Sequence, residues 1–107
     1  MNNSASNVRF MIRLSVYYPA TEGASFDHEY YSQKHVPLCL ATWSSEGVTH
    51  EIDKGISGPY VAAVQFTFPD METFGAAMAS EGTGAIQADV VNYTTITPVM
   101  QISEIVG

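Results

Sequence analysis

Positive charge is scarce in this chain: four lysines and arginines stand against eleven acids, a formal net charge of −7 over 107 residues. Nucleic-acid binding needs cations that displace counterions from phosphates, and four cannot make a broad basic patch. The same shortage argues against an anionic membrane surface. Cysteine is nearly missing too. Cys39 stands alone, so no intrachain disulfide forms and no cysteine-rich zinc cluster exists. No apolar run is long enough to span a bilayer. The opening MNNSASN has neither a basic start nor an apolar stretch, does not read as a secretory signal, and points to the cytoplasm. These absences leave a small neutral or weakly polar ligand, or another protein, as the expected partner. Residues 1–8 read as a disordered tail, and 9–107 as one domain with one core.

Pattern carries more than composition. Phe10, Ile12, Leu14, Val16 and Tyr18 alternate with Met11, Arg13, Ser15 and Tyr17, a period of two that predicts a strand. The loop PATEGAS follows at 19–25. A helix is expected near 26–35, capped by Ser25 or Asp27. Pro37 is expected to break it at His35-Val36 and to start a second helical segment that runs to about Ser45. Further strands are predicted over 47–56, 60–68 and 96–106. A helix over 69–80 has Met71, Phe74, Ala77 and Met78 at helical spacing, and a short one covers Ala85–Asp89.

The order β-α-β-β-α-β is the ferredoxin-like arrangement of the α+β class, an antiparallel sheet with its helices on one face. On the other face lie Met11, Arg13, Ser15, Tyr17, Val61, Ala63, Gln65 and Thr67. That mixture is too apolar for free solvation and too polar for a sealed core, so a homodimer through this face is expected.

The densest chemistry is in FDHEYYSQKHVPL, residues 26–38. Asp27, Tyr31 and His35 fall four apart on one side of the helix. His35 has two readings: it satisfies polar groups freed by Pro37, or it points into a pocket and transfers protons there. This stretch resembles the signature of the EthD family. GPYVAAVQFTFPDMETF and VNYTTITPVMQISEIV are similar to later parts of that family, and the resemblance covers nearly everything after Val8.

The resemblance implies a dimeric α+β barrel, two ferredoxin-like protomers with sheets face to face. It also implies kinship with isomerases, polyketide cyclases and small monooxygenases that often need no cofactor. Of the motif, His35 maps as a pocket histidine, and Tyr31 and Asp27 follow by position. A "reductase" label found among relatives gains nothing from these residues. EGTGAI at 81–86 lacks the third glycine and the preceding strand of a dinucleotide cradle.

The leading expectation is cofactor-free acid–base chemistry, of isomerase, cyclase or lyase type, on a small hydrophobic carbonyl compound or lactone. His35 would move the proton, Tyr31 would donate to the developing oxyanion, and Tyr17 or Trp43 would pack the ligand. His50 is a further candidate. Cys39, four beyond His35, reads mainly as a small hydrophobe. No metal site is expected: His28 and His35 are about 10 Å apart along a helix, too far for one ion. A haem held by His35 alone, in a monooxygenase-like barrel, stays open, as does a non-catalytic accessory role in a catabolic pathway.

Overall fold

The structure, a computed structural model, describes residues 10–45 and 47–107; the tail expected over 1–8 lies outside them. The chain is an α+β domain. Strands β1 (Ile12–Pro19), β2 (Thr49–Lys54), β3 (Tyr60–Phe68) and β4 (Val99–Glu104) form one sheet in the order β2-β3-β1-β4. Every neighbouring pair is antiparallel. The helices are α1 (His28–Tyr30), α2 (Val36–Thr42), α3 (Met71–Ala79) and α4 (Gly82–Asp89), which ends in a 3-10 turn at Val90–Asn92.

The period of two places the core as expected. Ile12, Leu14, Tyr18, Val64, Phe66 and Phe68 are buried on the helix side of the two central strands. Phe10 departs from the expected face and is exposed. β2 is shorter than predicted because glycines bracket it. Gly47 takes φ +87°, and a Cβ on Gly55 would collide with the Tyr60 carbonyl. β4 likewise begins at Val99, after Pro98.

The largest difference concerns Pro37. No break occurs at His35-Val36. Tyr30, Tyr31, His35 and Val36 all keep right-handed helical angles, and Tyr31–His35 forms a π-helical turn that joins α1 to α2. The Val36 N–H bonds the Tyr31 carbonyl, five residues back. That wider turn gives the proline ring the room a regular turn denies it, so the helix continues. Asp27 caps the start, its Oδ1 accepting from the Tyr30 N–H at 3.0 Å.

Asp70 caps α3 in the same way, accepting from the Thr73 N–H at 2.8 Å. Of the predicted stripe on α3, Phe74 and Ala77 are buried and Met78 packs against the core, while Met71 is exposed. α4 starts a turn earlier than predicted. Thr83 fixes it there: its hydroxyl donates to the Ala77 carbonyl (2.8 Å) and accepts from the Trp43 indole N–H (3.0 Å).

A second clamp joins distant parts of the chain. The Asp27 N–H bonds the Tyr93 carbonyl (2.8 Å), and the Thr94 hydroxyl donates to the Ser25 carbonyl (2.7 Å). Residues entering the π turn are thereby held against residues leaving α4.

Candidate functional site

Between helices and sheet lies a cavity of about 710 Å³, within the range that holds small organic ligands. Leu14, Val16, Val64 and Phe66 line its sheet side; Tyr31, His35, Cys39 and Trp43 line its helix side. Val91 and Met100 stand at the rim, 81% and 63% exposed. No Lys, Arg, Asp or Glu is among the lining residues.

His35 is 5% exposed. Its Nδ1 lies 2.9 Å from Asp89 Oδ2. Asp89 Oδ1 accepts from the Tyr30 hydroxyl (2.7 Å) and from Asn92 Nδ2 (2.9 Å). Burial alone would raise the Asp89 pKa. The hydrogen bonds from Asn92, His35 and Tyr30 outweigh it and hold the carboxyl below its ordinary value. An ionised carboxylate accepts only, so Nδ1 donates, and in the neutral ring the lone pair then falls on Nε2. Nε2 has no hydrogen-bond partner among the described residues. A base is therefore held in one tautomer and one orientation beside an apolar chamber.

Tyrosines surround this pair. The Tyr18 and Tyr93 hydroxyls meet at 2.6 Å, and the His35 ring stacks on Tyr31 and tilts against Tyr93 at centroid distances of 5.6 and 4.5 Å. Tyr31 is 1% exposed, and its hydroxyl, sealed from solvent, makes no hydrogen bond of ordinary geometry, although it lies near enough to the Tyr18 hydroxyl for each to affect the other's titration. Burial drives its pKa far up, so it stays neutral. Its ring belongs to the cavity wall, but its oxygen does not meet the cavity solvent.

The remaining expected residues divide. Trp43 lines the cavity. Tyr17 does not; strand parity sends it to the open sheet face, where it packs on Tyr60 at 4.9 Å. His50 also stays away from the lining, exposed on edge strand β2 with its ring 6.5 Å from Phe66. Asp27 is exposed and serves as the helix cap rather than entering the cavity. Cys39 does line it, but burial pushes the thiol pKa to about 12. It is a poor nucleophile at neutral pH.

Asp89, Tyr30, Asn92 and Tyr93 were not foreseen. Asp89 and Asn92 share one helix end, three residues apart, but nothing local pairs them with His35, 54 residues away. Among the described residues no three His, Cys, Asp or Glu side chains gather as a metal would require. No helix there is long and apolar enough to cross a membrane.

Comparison with known proteins agrees with this fold. A family model described as the EthD domain matches residues 21–97. An EthD-like protein from Ralstonia eutropha is 40% identical, with a TM-score of 0.84 over 94% of this chain and 96% of that one. An EthD family protein from Bacillus halodurans superposes with a TM-score of 0.70 at 19% identity, covering 90% and 99%. The cofactor-independent oxygenase SnoaB from Streptomyces nogalater shares the fold, with a TM-score of 0.62 at 11% identity, covering 90% and 92%. No curated protein matches the chain.

Proposed function

The chain belongs to the EthD family, and from that premise we propose that it binds a small hydrophobic carbonyl compound between helices and sheet. There it moves a proton without a bound cofactor. His35 is the base, and Asp89 is the positioning residue that fixes its tautomer and balances the imidazolium once formed. Trp43 and Phe66, edge to face at 5.1 Å, pack the ligand. One observation carries this reading: the buried imidazole with a carboxylate on Nδ1 and an unbonded Nε2, in the wall of an apolar cavity. Haem fits the same wall poorly, because its propionates would find no Lys or Arg in the lining.

The test is exchange of the α-protons of 2-tetralone with deuterium oxide, followed by NMR. The protein should accelerate exchange above buffer. His35→Ala should remove roughly a hundredfold or more of that acceleration, the usual worth of a positioned base. Exchange no faster than buffer, or equally fast in His35→Ala, overturns the reading in favour of a non-catalytic binding protein.

A second copy belongs on the open sheet face in this proposal. Tyr17, Tyr60, Val61 and the half-exposed Val99 offer it apolar area. Arg13 shares that face with Glu51 and Asp53, charges that a two-fold axis can set opposite one another. Light scattering should give about twice 11.6 kDa, and Tyr17→Glu should lower it; a monomeric native chain refutes the pairing.

A further inference from the structure

Building on that reading, we infer that the cavity takes an uncharged, multi-ring phenol or enol whose hydroxyl donates to His35 Nε2. Three observations lead there. First, the carboxylate of Asp89 on Nδ1 makes Nε2 the acceptor of the neutral ring, so the complementary group on the ligand is a hydrogen-bond donor. Second, the site has no positive charge to spare. The lining has no Lys or Arg, and any imidazolium at His35 is already balanced by the carboxylate 2.9 Å away.

A ligand carboxylate or phosphate would add a second negative charge beside Asp89, within a chain of net charge −7. Burying such an unpaired charge is costly, whereas a neutral hydroxyl is not so penalised. Third, the walls are flat and aromatic where they are not aliphatic: Trp43, Phe66 and Tyr31 suit the faces and edges of fused rings. The volume of about 710 Å³ holds more than one ring. Exposed Gln87, Thr95 and Thr97 on the lining leave room for further keto or hydroxyl substituents at the mouth.

Three naphthalenes that differ in one substituent separate these features: 2-naphthol, 2-methoxynaphthalene and 2-naphthoate, each titrated calorimetrically into the full chain at neutral pH. We expect 2-naphthol to bind roughly tenfold or more tightly than either of the others, the ether lacking the donor and the carboxylate carrying the charge. The preference for naphthol over its methyl ether should vanish in His35→Phe. The same donation should shift the His35 Nε2 nitrogen-15 resonance of the native chain, a readout that needs no variant. Naphthoate bound as tightly as naphthol overturns the uncharged class while leaving His35 as base. Ether bound as tightly as naphthol, with an unmoved resonance, overturns donation to His35. Binding of none of the three overturns this inference and the ligand cavity together.

Discussion

Tyr18, Tyr31 and Tyr93 form one aromatic cluster, yet removal of their hydroxyls should have opposite effects on stability. Tyr31 is 1% exposed, and its oxygen, though near the Tyr18 hydroxyl, makes no hydrogen bond of ordinary geometry. A buried polar group left unmade costs about 1–3 kcal/mol. Tyr31→Phe removes that cost and leaves an oxygen-sized void, which takes back part of the gain. The net expectation is a stabilisation of about 0.5–2 kcal/mol, a rise in Tm of about 2–15 °C in a domain of this size.

Tyr18→Phe and Tyr93→Phe each break the 2.6 Å bond between their hydroxyls and leave a new orphan. Each should destabilise by about 1–3 kcal/mol. The double variant should cost clearly less than the two singles added, because neither partner is left to suffer. Urea unfolding followed by circular dichroism measures all four. A Tyr31→Phe loss as large as that of Tyr18→Phe would falsify the argument, since the Tyr31 hydroxyl must then be bonded.

Acid should act through Asp89. Its folded pKa lies below the ordinary 3.8, so its stabilising contribution is present above that value and is lost as pH falls through the folded one. Asp89→Asn should flatten the acid limb of stability below about pH 4; an unchanged limb contradicts the hydrogen-bonded carboxylate. Cys39, with its thiol pKa pushed to about 12, should resist iodoacetamide at neutral pH in the folded chain and react once unfolded. Rapid alkylation of the native protein refutes that shielding.

Much of the scaffold was legible because strand alternation is a local property. β3 runs over Tyr60–Phe68 as read, and the element order leads to the observed sheet. Parity even contained the fate of Tyr17: an odd residue on β1 points away from the helices, so a ligand role for it conflicted with the pattern itself. His50 was different. Its parity puts it on the helix side, opposite Phe66, but β2 is an edge strand that no helix covers, and strand order is not written in any short stretch.

His35 was legible as a buried, cavity-lining group because its position four beyond Tyr31 survives into the π turn. Asp89 was not, since the pairing depends on the clamp between residues 25–27 and 93–95. The unbroken helix also escaped, because proline biases the residue before it away from helical angles, whereas here Val36 keeps them in a turn widened around the ring.

The wide turn at Tyr31–His35 sets regularity of the backbone against placement of the imidazole. Excising one residue from it would restore ordinary winding, yet would rotate everything on one side by about 100° relative to the other. Either the imidazole or the Tyr30 phenol would then swing off Asp89. An insertion that looks like a flaw in the helix thus acts as the spacer that lets two neighbouring side chains grip one carboxylate.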